Sequence, residues 1–170
     1  MTAAVVSIRL AASDLARLMA DSPFGIRLTL AQDHFVVRRK IALFQARARV
    51  YPEVAGSRLR FVIPFEDLSV DRGVGGLLRG ALQIIWRALE TRLDRFVAKA
   101  LADRGLPWEM VWVDNIEDTR GRAITVNVSL TVLNQYLLDR GVTHGLTMRI
   151  EALDVSPAAL ELALDLTPAP

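Results

Sequence analysis

The chain has 170 residues, which is enough for one domain with a core and too few for two ordinary ones. Apolar residues make up 52% and aromatics only 6%, so the core must be built from Leu, Val, Ile and Ala, while 24% charged residues in such a chain exclude disorder. Lys and Arg number 21 against 19 Asp and Glu, so the sequence pI near 9.5 goes with a net charge of only +2; the lack of cysteine excludes disulfides, thiolate metal sites and Cys nucleophiles.

The mean hydropathy of +0.28 is high for a soluble protein. It implies either a large interior or apolar surface that meets a ligand or partner. The opening "MTAAVVSIRLAASDLARL" lacks a basic leader region and is broken by Arg9 and Asp14, so no secretory signal is read. The longest uncharged run, 123–138, contains Thr, Asn, Ser and Gln and is too short and too polar to span a bilayer. The expected location is cytoplasmic, peripheral to a membrane if one is engaged.

In chain order, Val6, Ile8 and Leu10 alternate and predict a half-buried strand. Ser13 is the expected N-cap of a short helix that follows. "GIRLTL", from Gly25, predicts a second strand. "FVVRRKIALFQARARVY" and "SRLRFVIPF" read as a hairpin closed by "PEVAGS", with Pro52 and Gly56 marking the turn. Alternation slips between Leu43 and Phe44, which predicts a bulge or bend.

"DRGVGGLLRG" then brings four glycines within ten residues. It lacks the Lys and hydroxyl of a Walker loop, and Leu78 stands where a dinucleotide loop needs its third glycine. It reads as a connector. Leu78, Leu82, Ile85, Leu89, Leu93, Phe96 and Ala100 step by three and four, so a helix is predicted over 76–104, stopped by Gly105 and Pro107. Leu77, Ala81, Ile84, Trp86, Ala88 and Val97 broaden its apolar stripe, which suggests a helix cradled in a curved sheet. Trp108, Met110 and Trp112 share one face if they lie on a strand, with core packing their expected role. "VDNIEDTRGR" reads as a polar hairpin tip; its acids lack the alternate spacing of a calcium loop. Ile124, Val126 and Val128 alternate as another strand, and Ser129 is the expected N-cap of the helix after it. "GLTMRIEALDV" and "ALELALDL" form a last hairpin around "SPA".

The chain also resembles itself. Placing Ile8 on Val126 sets Leu10 on Val128, Leu15 on Leu133, Leu18 on Tyr136 and Met19 on Leu137. "GIRLTL" matches "GLTMRI" from Gly145. Short β-α-β units resemble one another by chance as well; the matched positions favour a repeat, with copies at 1–40 and 122–166 of a single domain, 1–170. The expected fold class is α+β, a long amphipathic helix wrapped by a strongly curved antiparallel sheet, with an internal β-α-β pseudo-repeat.

The segments "VVSIRLAASDLARLM", "LLRGALQIIWRALETRLDRFVAKAL" and "AITVNVSLTVLNQYLLDRGVTHGLTMRIEALDV" cover more than half of the chain. In this arrangement they resemble the tubular lipid-binding superfamily and its small bacterial members of unassigned function. The resemblance implies a groove between helix and sheet that takes acyl chains or another apolar ligand.

The chemistry-bearing residues are sparse. His34 and His144 lack metal-ligand spacing and read as loop histidines, no nucleophile motif is present, and no cofactor or metal is expected. The chain is therefore read as a binder and not an enzyme. The expected groove lining is Leu78, Leu82, Ile85, Leu89, Phe96, Val126, Val128 and Ile150, burying a lipid or fatty-acyl chain at roughly 0.8 kcal/mol per CH₂. If the hairpin turns near Glu53 and Val54, Arg49 opposes Arg58 and Arg47 opposes Arg60, with Arg38, Arg39 and Lys40 beside them. An anionic headgroup, membrane surface or protein partner then relieves the repulsion, unless nearby acids already balance a solvated face. Nucleic acid is disfavoured because no aromatic residues interleave with the basic ones. The competing reading is a protein-interaction or assembly module with a solid core and no ligand.

Overall fold

A computed structural model describes residues 4–20, 25–41, 44–71 and 77–169. Its elements, in chain order, are β1 (Ala4–Ala11), α1 (Ala12–Ala20), β2 (Ile26–Leu30), β3 (Phe35–Ile41), β4 (Phe44–Ala55), β5 (Arg58–Pro64), β6 (Leu68–Asp71), α2 (Leu77–Ala102), β7 (Val111–Asp118), β8 (Gly121–Ser129), α3 (Leu130–Asp139), β9 (Leu146–Val155) and β10 (Ala159–Pro168). Strands dominate, and they form two open antiparallel sheets. The large sheet runs β2-β3-β4-β5-β8-β7, with β6 also on β4; the small sheet runs β1-β10-β9.

Local chemistry explains several boundaries. Ser129 caps α3 as expected, its hydroxyl accepting from the Val132 amide at 3.2 Å. Ser13 does not cap α1, which already begins at Ala12. β5 and β6 are one strand interrupted by the 3-10 turn Phe65–Asp67: Tyr51 pairs with Val62, yet Ala48 pairs with Leu68, so extra residues bulge out between them. The expected bend at Leu43 and the glycines Gly73 and Gly75 lie outside the described residues.

The core follows from the register. Leu28, Val37 and Ala48 lie in one cross-strand row, Leu30, Phe35 and Val50 in the next, and Ile63 opposes Ile124. These residues share one face of the large sheet. Two layers divide that face. At one end α2 lays Leu82, Ile85, Trp86, Leu89 and Leu93 against Ala48, Leu68, Val113 and Ile124. At the other end the small sheet lays Leu153, Val155 and Leu160 against Phe35, Val50, Phe61 and Ile63. Arg122 ties helix to sheet: it meets Glu90 at 2.7 Å and lies over the rings of Phe65 and Trp86.

The expected α+β fold is therefore corrected. The protein is mainly antiparallel β, neither sheet is strongly curved or closed, and α2 lies across a face without being wrapped. Half of the helix surface meets solvent, with Ile84 71% exposed. The physical reason is that two of the residues that seemed to broaden the stripe, Ile84 and Ala88, face solvent, while Trp86 packs with the row it flanks. An isolated exposed Ile is ordinary, and the packing on the sheet is done by the row from Leu82 to Leu93, with Leu101 buried farther along.

The two matched segments both run strand, helix, strand: β1-α1-β2 and β8-α3-β9. In each, the two strands belong to different sheets, and in opposite order.

Candidate functional site

The expected groove does not assemble as one lining. Leu82, Ile85 and Leu89 pack into the core under α2, while Val126 and Val128 stand on β8 along the same sheet face as Ile124. Ile150 is buried in the small sheet, on a different layer. Phe96 is half-buried farther along α2, and the side chain of Leu78 lies outside what the structure describes. A half-open cleft of about 320 Å³ does exist, but elsewhere, between the β4–β5 turn, α3 and β9, lined by Ser57, Leu130, Asn134 and Met148 among others. There Asn134 joins the Met148 backbone by two hydrogen bonds, each 2.8 Å, and occupies the outer edge of β9 as a neighbouring strand does.

The expected arginine pairs are also corrected. The β4–β5 turn lies at Gly56, with φ of 61°, and Ser57, so Arg60 opposes Glu53 and Arg58 opposes Ala55. The expectation placed the turn too early because Pro52 reads as a strand breaker. Pro52 instead sits in β4 beyond its last partner on β3, where β5 alone flanks the strand and a missing N–H need not cost a ladder bond.

Arg47 and Arg49 join a different group. Arg27 on β2 directly opposes Arg38 on β3, which directly opposes Arg47 on β4. Three guanidinium side chains thus stand in one row across about 10 Å of sheet. No acid pairs with these three among the described residues. Arg49, one row along, meets Asp67 at 3.3 Å. Sequence reasoning missed Arg27. Its signal was the alternation of "IRLTL", which sends Arg27 and Thr29 to the face opposite Leu28 and Leu30.

This face is the reverse of the one on which α2 and the small sheet pack, and neither core cluster includes a residue from it, although Val36, Val62 and Ala123 on it are also buried. Beyond the arginine row it holds Tyr51, whose ring lies 5.3 Å from that of His34 and 4.1 Å from the Arg120 guanidinium. Arg120 also meets Glu53 at 3.6 Å. Burial of Tyr51, helped by Asp67 and opposed by Arg49, holds its phenol above the usual value of 10.0. Next along, Asn127 donates to Asp114 at 3.1 Å and Trp112 donates to the same carboxylate oxygen at 2.8 Å. Thr125 donates to the Asp114 carbonyl at 3.3 Å. Thr125 and Asn127 are each 1% exposed on β8, which lies between β5 and the edge strand β7. The Nε of Arg60 is buried without a hydrogen-bond partner.

The shared strand face expected for Trp108, Met110 and Trp112 is corrected too. Trp108–Met110 is a 3-10 turn, Trp108 is 70% exposed and Met110 buried, while Trp112 joins the polar face. His34 sits with Nδ1 near the Gln32 carbonyl and the Asp33 carboxylate, and His144 lies in an exposed turn with φ of 48°. Among the described residues no group of His, Cys, Asp and Glu could hold a metal ion, and no helix is long and apolar enough to cross a membrane. Comparison with protein-family models, with curated proteins and with solved structures finds no match.

Proposed function

We propose that the chain is a non-catalytic interaction module whose arginine-bearing sheet face docks an acidic segment of a protein partner. The observation that carries this reading is the row Arg27, Arg38 and Arg47, directly opposed across three strands with no paired acid among the described residues. Like charges facing one another across strands are unfavourable by up to about 1 kcal/mol each, and carboxylates laid across the row remove that penalty. Arginine suits the task because its planar fork meets a carboxylate through two parallel hydrogen bonds. Asp67, paired with Arg49 one row along, and Glu53 farther along β4 give the face a mixed pattern, which fits a protein surface better than a uniformly anionic membrane.

The lipid-carrier expectation required an enclosed helix, and one side of α2 meets solvent along its length while its apolar row is already packed. The module with a solid core is the reading that the geometry favours.

The test is fluorescence anisotropy with an extended glutamate-rich peptide. Binding should weaken as salt rises, and the double variant Arg38→Glu/Arg47→Glu should weaken it at least tenfold, at roughly 1 kcal/mol per lost pair. Both side chains are partly exposed, so the fold should survive. Equal binding by wild type and variant overturns the proposal. Sedimentation with phosphatidylserine vesicles, without peptide binding, moves the partner from protein to membrane.

A further inference from the structure

We infer that β1 is a pairing edge, and that its occupant is β1 of a second copy of this chain, antiparallel and centred on Ser7. Among the described residues the two sheets present five outer strands, and all but β1 are protected; β6, which pairs only with β4, is four residues long. β2 is only five residues long and carries Arg27. β7 carries Asp114 and Glu117. The outer edge of β9 is filled by the Asn134 side chain. Short length, charge and a covering group are the devices that keep sheet edges from joining. β1 has none of them beyond Arg9. It is eight residues long, has no proline or glycine, and its first six residues are exposed. Val5 is 68%, Val6 39% and Ile8 38% exposed.

The sequence of β1 is complementary to itself in one register. Centring on Ser7 places Val6 opposite Ile8 of the second copy and Ala4 opposite Leu10. Within each chain Val6 pairs with Leu164 and Ile8 with Leu162, so the apolar side continues unbroken as Leu164, Val6, Ile8, Leu162 from one copy into the next. On the other side Arg9 falls opposite Val5 of the second copy. Val5 pairs with Asp165, and one oxygen of Asp165 is buried without a hydrogen-bond partner. Arg9 already meets Glu161 at 3.4 Å. Its guanidinium lies one strand from Asp165 of the second copy, within side-chain reach, so one arginine bridges two acids and the two-fold axis repeats the arrangement. Centring on Ile8 instead sets Arg9 opposite Ser7, whose neighbour is Ala163, and the charge match is lost. The joined sheet runs β9-β10-β1-β1-β10-β9, a closed isologous pair. This inference is independent of the arginine face.

Two measurements on the whole chain test it. Sedimentation equilibrium should give twice the chain mass, and Val6→Lys/Ile8→Lys should halve it while leaving the circular-dichroism melt in place. A chain that stays monomeric at tens of micromolar overturns the inference. Register is tested by single cysteines, since the chain has none of its own. Ser7→Cys meets itself across the axis and should form a disulfide-linked dimer under mild oxidation. Arg9→Cys stands about 13 Å along the strand from its copy and should cross-link several-fold less. A dimer in which both cysteines link equally, or neither links, overturns the β1 assignment.

Discussion

Tyr51 stands between the arginine row and the polar network of β8, and its phenol is held neutral to higher pH than usual. Burial is the largest cause, the Asp67 carboxylate adds to it, and Arg49 works against it. A raised folded value means that the neutral phenol stabilises the fold. That contribution is fully present below pH 10.0, the unfolded value, and is lost as pH rises through the higher folded one. Tyr51→Phe has no phenol to ionise, so its stability should fall less than that of wild type between pH 9.5 and 11.5, read by urea melts along that series. Parallel curves for the two proteins would mean that the ring is solvated in the native state.

Asn127 shows what single-residue reading misses. Alternation in "ITVNVS" sends Val126 to the core and Asn127 to the far face, and the sides are as expected. Yet Asn127 is 1% exposed: β8 is flanked by β5 and β7, Arg60 and Trp112 stand opposite Asn127 in the register, and its amide is tied to Asp114. Period 2 tells which side a residue takes. It does not tell how tall its neighbours are.

For the elements, α2 decides between an enclosed and a surface helix. Its bounds were legible, since the apolar steps and the stop at Gly105 and Pro107 are local signals. What surrounds it was not, because an apolar face of a helix fits a flat sheet or a curved one equally. Two substitutions separate these environments. Trp86 is 3% exposed and packs edge-on against Phe65 at 5.1 Å, so Trp86→Ala should cost about 3–5 kcal/mol. Ile84, two residues earlier, is 71% exposed, and Ile84→Lys should change stability by no more than about 0.5 kcal/mol. Chemical denaturation of the two variants gives the comparison. A large loss for Ile84→Lys would restore the enclosed helix.

The β4–β5 hairpin fails for a different reason. Its second strand was legible, but the first arm, read as one strand over 35–51, is two strands that pair with each other, Ile41 opposite Phe44. The register rests on whether Pro52 ends β4, and that depends on how far β3 extends alongside. β3 pairs with β4 only to Val50, a long-range fact that no local pattern carries. The same displacement of the turn took Arg47 and Arg49 away from Arg58 and Arg60 and set them beside Arg27 and Arg38.

At the scale of the whole molecule, one proposed contact lies on each sheet: the arginine row on the large sheet and the β1 edge on the small one. Joined through β1, two copies carry two arginine faces, and whether both engage one target changes how long the assembly stays bound. A single soluble peptide sees one face, so Val6→Lys/Ile8→Lys should bind it as tightly as wild type does, because neither residue touches the row. A surface densely coated with the same glutamate-rich peptide lets the second face bind at high local concentration. Wild type should then leave more slowly than the variant, by a factor on the order of 10² where both faces reach the surface. Diluting the coating until neighbouring peptides lie farther apart than the dimer spans should erase the difference, since the second contact then has nothing to reach. Equal release from the dense coating would mean that the two faces point too far apart to share a target, and the edge would then serve assembly alone.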